Sequence, residues 1–236
     1  MNRYFQFKQF KVFHDKSSMK VGTDAVLLGC LTNLHHAKNI LDVGCGSGIV
    51  TLVLAQRSAA NIRGIDIHKE SVMQAIENFE LSIWKNRLTA SLSSFQNFAI
   101  THQEKFDGIV TNPPFFVNSM KSPVIQRNMA RHNDHLSSKD LLNNAKHLLE
   151  PKGIFTLILP TTEAERLLEY ASKMGFFLSR KVFIQPKASK KPNRVILELR
   201  LSSPIQIITQ QLIIREENNE YTKEYQKLTK DFYLAF

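Results

Sequence analysis

The sequence predicts an α/β fold with a mostly parallel central sheet, helices on both faces and an antiparallel pair of strands near its C-terminal end. Three observations predict it. From residue 39 onward, short β-rich apolar runs alternate with helical patterns, which is how βαβ units read. The first of those runs ends in Gly44-Cys45-Gly46-Ser47-Gly48, a glycine-rich turn between a strand and a helix. Two late apolar runs, 176–185 and 194–201, are separated by the Pro/Lys-rich segment Gln185–Asn193.

Each element follows from local pattern. Asn39–Val43 reads as a strand, and Ile49, Leu52, Val53 and Gln56 recur on successive turns of the helix after it. Residues 62–67 form the next strand, and 69–82 carry Val72, Ala75, Ile76 and Phe79 at the i, i+3, i+4, i+7 spacing of one helix face. A strand near 87–93 and one at Phe106–Thr111 follow, the latter running directly into Asn112-Pro113-Pro114-Phe115. Residues 137–149 form a helix with Ser137 or Ser138 as N-cap, and Gly153–Leu159 is a buried strand between Pro151 and Pro160. Glu163–Met174 is a helix closed by Gly175. After the late strand pair come a short strand at 211–215 and a terminal helix over Tyr221–Phe236. The polar stretch Val117–Asn133 is the longest loop, and loops of that length usually carry function. Residues 1–38 are a preface too short to fold alone, so 1–236 is expected to be a single domain.

Composition narrows the setting. The chain has 236 residues, 43% of them apolar, enough for an ordinary core. Two cysteines, Cys30 and Cys45, are too few for a disulfide framework or a four-cysteine zinc site, which favours a reducing, cytoplasmic setting. His132 and His135 lack partners at metal-ligand spacing, so no metal is expected. No apolar run approaches the roughly 20 residues of a membrane span, and the N-terminus lacks a secretory pattern. The formal charge of +10 is unevenly placed. Residues 1–20 carry five Lys/Arg against one acid, 180–200 seven against one, and 40–110 six against seven. Basic edges around a near-neutral middle suit a body that grips a polyanion at its rim, although surface lysines also serve solubility.

The glycine turn points to a cofactor. Its spacing is G-x-G-x-G with Asp42 two residues before Gly44, unlike the G-x-G-x-x-G of dinucleotide folds, so a ligand without pyrophosphate is expected. Asp66, at the end of the second strand and 24 residues after Asp42, is placed to accept hydrogen bonds from two ribose hydroxyls. S-adenosylmethionine offers a ribose, a cationic sulfonium and an amino-acid end, and fits. Ile67 continues the same site, whereas Cys45 reads as a small loop residue.

The second motif points to an acceptor. Asn112-Pro113-Pro114-Phe115 follows the fourth strand, at the carboxyl edge where open α/β sheets hold ligands. Two prolines stiffen the segment and leave carbonyls without local donors. An exocyclic amine is a poor nucleophile because its lone pair is delocalised. If the Asn112 side chain and the Pro113 carbonyl each accept one of its N–H groups, the lone pair is aimed at the methyl donor, and Phe115 stacks on the planar ring.

Together the two motifs resemble the Rossmann-like class I methyltransferases that modify planar amino groups: adenine N6, guanine N2 and release-factor glutamine. Phe7-Lys8-Gln9-Phe10, the run Met19–Gly29, Ala130-Arg131-His132 and Tyr225 with Phe232-Tyr233 narrow the resemblance to the bacterial tRNA1(Val) adenine-37 N6-methyltransferases, over essentially the whole chain. That resemblance implies that 1–38 covers the cofactor, with Lys20 and Thr23 at its methionine end, that 39–160 binds it, and that 161–236 completes the sheet and an RNA-contacting edge. It also places Ser94 where relatives often carry an acid toward the adenine.

The implied partner is tRNA, bound by a monomer. Lys8, Lys11, Lys16 and Lys20 in the preface, Lys20 being equally a candidate for the cofactor, and Lys187, Lys190, Lys191 and Arg194 in the late segment are the expected phosphate contacts, with Arg127 and Arg131 beside the target base. An adenine in an anticodon loop is partly unstacked, so turning it into a pocket is inexpensive. Three alternatives stand beside this. A release-factor glutamine methyltransferase resembles a family with a larger helical N-terminal domain. A ribosomal guanine-N2 methyltransferase resembles a family of often longer chains. A non-catalytic RNA-binding protein would not need Asp42, Gly44, Gly46, Gly48, Asp66 and Asn112.

Overall fold

A computed structural model describes residues 3–17, 20–34, 36–113 and 136–236. Pro114, Phe115, Arg127, Arg131, His132 and the loop 117–133 lie outside the described residues. The preface forms a hairpin, β1 (Tyr4–Gln6) with β2 (Lys11–Phe13), and then helix α1 (Thr23–Leu31). The α/β body runs β3 (Asn39–Val43), α2 (Ile49–Arg57), β4 (Asn61–Asp66), α3 (Lys69–Glu80), β5 (Leu88–Leu92), α4 (Phe95–Thr101) and β6 (Phe106–Thr111). It continues with α5 (Ser138–Leu148), β7 (Leu149–Pro160), α6 (Thr161–Lys173), β8 (Phe177–Lys187), β9 (Arg194–Arg200), β10 (Ile208–Arg215) and α7 (Lys223–Thr229).

The main sheet has eight strands in the order β10-β8-β9-β7-β6-β3-β4-β5. β9 is antiparallel to both neighbours, and every other pairing is parallel. Because adjacent residues of a strand face opposite sides, Ile40 and Val110 join one core while Leu41 and Ile109 join the other. The first core takes Leu27 and Leu28 of α1, Leu52 of α2 and Phe79 of α3; the second takes Phe98 of α4, Leu142 of α5 and Leu167 of α6. Helices therefore cover both faces, and the mostly parallel sheet with its antiparallel late strand is as the sequence predicts.

Four local expectations change. β7 begins at Leu149 and passes through Pro151, which falls in the register shift between the Phe106↔Leu149 and Gly108↔Ile154 pairs, where no ladder donor is required. β8 extends through Pro186, beyond its last β9 pair at Ile184↔Arg194. α4 is a helix that periodicity alone does not reveal: it has seven residues, capped by Ser94 and buried through Phe95, Phe98 and Ala99. The terminal helix is shorter than Tyr221–Phe236, because Tyr221 bridges Arg215 and the Thr222 hydroxyl caps the helix by accepting from Tyr225 N at 3.2 Å.

Candidate cofactor and acceptor site

The site is built where β3, β4 and β6 end side by side. Asp42, 1% exposed in β3, accepts from Thr51 twice through Oδ2, from the backbone N–H at 3.1 Å and from the hydroxyl at 2.7 Å. That fastens the strand end to the first turn of α2. Burial pushes the Asp42 carboxyl up to about 7, opposed by the Thr51 bonds and assisted by the nearby Asp66 charge. The turn folds onto β4 through Gly44 N–H and Cys45 N–H, which both donate to Ile65 O, at 2.8 and 3.0 Å.

Two of the glycines are required for separate reasons. Gly48 has φ +82°, and a side chain there would overlap the Phe79 ring. Gly44 has φ +72°, and a Cβ on it would meet nothing within 4 Å. The backbone at Gly44 therefore borders open space, as a loop that admits a ligand must. Cys45 is 3% exposed, and burial holds its thiol well above the ordinary range, so it stays protonated and inert.

Asp66 closes β4 with both oxygens oriented: Oδ2 accepts from Gly46 N and Oδ1 from His68 N, each at 2.9 Å. Each carboxylate oxygen retains acceptor capacity for a further donor, the requirement for holding a ribose diol. Ile67 follows and is half exposed. Ser94 caps α4, its hydroxyl oxygen accepting from Asn97 N at 3.2 Å, and Ser93 N donates to Asp66 O at 3.0 Å. The β5–α4 turn is thereby tied to the Asp66 strand end, with the Ser94 hydroxyl proton left to donate.

The acceptor motif adjoins the glycine turn. β3 and β6 are parallel with Val43 opposite Thr111, so Gly44 and Asn112 are each the next residue past the last pair. Asn112 Oδ1 is buried and has no hydrogen-bond partner among the described residues. A buried amide oxygen left unpaired costs about 1–3 kcal/mol, which a ligand's N–H would recover. Asp42, Gly44, Gly46, Gly48, Asp66 and Asn112 are thus brought together. Open space at Gly44, the two-oxygen Asp66 acceptor and the orphaned Asn112 oxygen fit a nucleoside cofactor and an amine acceptor.

The preface reaches the same edge. Arg194, first residue of β9 and opposite Pro160 at the end of β7, donates from Nε to Asp24 Oδ2 at 2.8 Å. This fixes the start of α1, with Thr23 its first residue, at the carboxyl edge of the sheet; Lys20 is exposed just before it. Sequence reasoning missed the clamp that seats the segment between. Asn78 of α3 exchanges two 2.8 Å bonds with the Phe13 backbone and donates to Ser47 O at 2.8 Å, while Lys16 N donates to Gln74 Oε1 at 3.0 Å. Its sequence signal is faint: two polar residues four apart on a helix, both 1% exposed in the fold.

The expected phosphate contacts separate into two groups. Lys8 donates to Lys230 O at 2.7 Å and to Phe236 O, Lys11 sits 4.3 Å from the Tyr4 ring centre, Lys187 donates to Glu217 O at 3.2 Å, and Arg194 is paired with Asp24. Each of these four makes a contact within the chain. Lys190 and Lys191 are exposed in the β8–β9 turn, which lies at the carboxyl end of β8 and hence at the same edge as Asn112. A separate cleft of about 750 Å³ lies where α2 ends, lined by Arg57, Arg180, Gln211 and Lys227. Its two arginines are engaged with carbonyls closing α1, Arg57 with Gly29 O and Thr32 O and Arg180 with Leu31 O. No helix among the described residues is long and apolar enough to cross a membrane, and no cluster of three metal-ligating side chains occurs among them.

Comparison with known proteins gives this geometry a family. The methyltransferase small domain family matches residues 8–180. A protein of Phocaeicola vulgatus named tRNA1(Val) (adenine(37)-N6)-methyltransferase is 43% identical over 99% of this chain and 98% of its own, and one of Vibrio vulnificus with the same name is 37% identical over 98% and 95%. Among solved structures, a predicted O-methyltransferase of Agrobacterium tumefaciens superposes with a TM-score of 0.67 at 17% identity, covering 89% of this chain and 96% of that one. The 16S rRNA N2 G1207 methyltransferase of T. thermophilus, solved with AdoMet and guanosine, gives 0.57 at 23% identity, covering 85% and 50%. These last two share the fold of class I methyltransferases. By its matched domain and its near-full-length relatives, the chain belongs to the methyltransferase small domain family and, within it, to the S-adenosylmethionine-dependent group named tRNA1(Val) (adenine(37)-N6)-methyltransferases.

Proposed function

We propose that this chain methylates N6 of an anticodon-loop adenine in tRNA, adenine 37 of tRNA1(Val), the reaction its relatives are named for. The observation that supports the site assignment is Asn112 Oδ1, buried without a partner among the described residues and one residue past the Val43↔Thr111 pair, as Gly44 is on the neighbouring strand.

S-adenosylmethionine, when bound, supplies an electrophilic methyl group on a sulfonium. Asp66, already oriented by Gly46 N, would accept from its two ribose hydroxyls, and the turn Gly44–Gly48, anchored by Asp42 on Thr51, would hold it together with Lys20, Thr23, Ile67 and Ser94. Asn112 Oδ1 and the Pro113 carbonyl each accept a hydrogen bond from one N6–H, which turns the amine lone pair toward the glycine turn at the end of the neighbouring β3. Pro114 stiffens this segment and Phe115 stacks on the adenine. The proton leaves N6 to water after transfer, since the methylated amine is acidic and no general base is needed. Catalysis is positioning and electrostatics. Lys190 and Lys191, with Arg127 and Arg131, hold RNA phosphate. The chain works as a single-domain monomer in the cytoplasm.

The test is incubation with labelled S-adenosylmethionine and, separately, total tRNA, ribosomal subunits and release factor, followed by mass spectrometry of the modified residue. N6-methyladenine in tRNA, lost on Asn112→Ala while cofactor affinity stays within about twofold, is the expected result. Label in guanine or glutamine overturns it.

A further inference from the structure

The turn that carries Lys190 and Lys191 is held by a carboxylate from another part of the chain. β8 and β10 are parallel, with Lys187 opposite Arg215 as their last pair, so Ser189 and Glu217 each stand two residues past it. Glu217 meets Ser189 with both carboxylate oxygens: Oε1 accepts from the Ser189 N–H and Oε2 from its hydroxyl, each at 2.9 Å. The Lys187 ammonium donates to Glu217 O at 3.2 Å. The two Ser189 bonds hold the Glu217 carboxyl below the usual glutamate range, with the Lys187 and Lys190 charges adding to the effect.

Both sides of this contact are themselves anchored. Beneath the turn, Gln185 is 6% exposed, takes a bond from Gln211 of β10, and donates from Nε2 to Lys187 O at 2.9 Å and Ala188 O at 2.8 Å. Lys190 N closes onto Lys187 O at 3.0 Å, and Pro192 restricts Lys191 before it to extended backbone. On the other side Arg215 bridges Tyr221 and Glu216 N donates to Glu220 O at 2.8 Å, so Glu217 rides on a closed hairpin. Glu217 joins two ordered pieces rather than trailing from one.

By charge alone Glu217 is out of place. A negative side chain beside a phosphate-binding turn opposes phosphate, and over less than about 8–10 Å salt does not screen that repulsion away. What the carboxylate supplies instead is order, since a turn already in its bound shape loses less freedom when phosphate engages it. We propose that Glu217 is a positioning residue for RNA binding, its carboxylate bracing Ser189 so that the β8–β9 turn presents Lys190 and Lys191 to phosphate in a fixed arrangement. This rests on the reading of that turn as the RNA edge.

Charge and position predict opposite signs, and steady-state methylation of a tRNA1(Val) transcript by the full chain reads the difference. Glu217→Ala should raise KM for tRNA about three- to fivefold, although it removes a negative charge from the edge, with kcat and thermal unfolding unchanged. Glu217→Gln keeps an oxygen for Ser189 N without the charge, so its KM should stay within about twofold of the parent's. In the Lys190→Ala/Lys191→Ala background, Glu217→Ala should change KM less than about twofold, because the side chains it positions are gone. A KM lowered or unchanged by Glu217→Ala overturns the brace, as does an equal rise in the double-lysine background or a glutamine variant as impaired as alanine. If the double-lysine variant itself leaves KM unchanged, the RNA edge is misplaced and the proposal falls with it, an outcome distinct from failure of Glu217 alone.

Discussion

The Thr111 hydroxyl donates to the Val43 carbonyl at 2.8 Å, joining the residue before Asn112 to the residue before Gly44. Both ends are buried, Thr111 at 1% and Val43 at 5% exposure, so water cannot replace the bond. The distance from acceptor amide to cofactor turn is thus set by a side-chain latch as well as by the sheet ladder. Thr111→Val removes the hydroxyl at nearly constant volume and leaves one carbonyl lone pair unused, costing about 1–2 kcal/mol of stability. The expected outcome is kcat lowered at least tenfold with cofactor affinity nearly unchanged, because misplacing a positioning group by a fraction of an ångström penalises the transition state. Thr111→Ser should restore most of the rate; if serine is as impaired as valine, the hydroxyl is not the cause.

The distinction between legible and hidden parts of the site runs along the chain's own distances. Gly44, Gly46 and Gly48 are legible because a turn at +φ must be written in consecutive residues, and Asp66 and Asn112 because strand ends announce themselves by the apolar runs before them. The Phe13–Asn78 and Lys16–Gln74 contacts join positions 65 and 58 residues apart, and nothing local marks Asn78 or Gln74 as partners of the preface. The partners of a charged side chain are hidden for the same reason. Lys8 reads as a phosphate contact in sequence, and nothing local announces that its ammonium also donates to Lys230 O and Phe236 O, 222 and 228 residues away. Lys190 and Lys191 stay exposed in the β8–β9 turn, whose carbonyls Lys187 O and Ala188 O already accept from Gln185.

Gly48→Ala tests the start of α2. The position holds φ +82°, and the added methyl would enter the Phe79 ring on α3. Left-handed backbone costs an L-residue about 1–2 kcal/mol and overpacking about 1–3. The variant should lose about 2–5 kcal/mol in urea unfolding. A loss below 1 kcal/mol would mean that Phe79 yields freely and the turn is not sterically fixed.

Lys190→Ala with Lys191→Ala tests the RNA edge. Each phosphate contact contributes a slope of roughly −0.7 to −0.9 to log K against log salt, so removing two should flatten the slope by about 1.5. KM for tRNA should rise several-fold at about 0.15 M salt while kcat at saturation and cofactor affinity hold. Lys8→Ala, by contrast, should lower thermal stability, since its bonds are to the chain's own C-terminus. An unchanged salt slope in the double variant removes the β8–β9 turn from the interface.

Asp42→Asn tests the buried carboxyl. The folded value of about 7 lies above the roughly 3.9 of an unfolded aspartate, so the native state binds the proton more tightly. Stability from this group is fully present below about pH 4, declines as pH rises from 4 to 7, and is flat above, where the unpaired charge is carried in the folded state. Three pH units correspond to at most about 4 kcal/mol, and relaxation of the site makes 2–4 kcal/mol the working range. Asparagine keeps an oxygen to accept from Thr51 N and Oγ1, bonds of 3.1 and 2.7 Å in the parent, without the charge. The variant should therefore be more stable than the parent at pH 8 and should lose the parent's decline between pH 5 and 7. Urea unfolding at pH 5, 6, 7 and 8 measures both, and parallel pH profiles for the two proteins would show that Asp42 is ionised throughout, its carboxylate paid for by contacts other than Thr51.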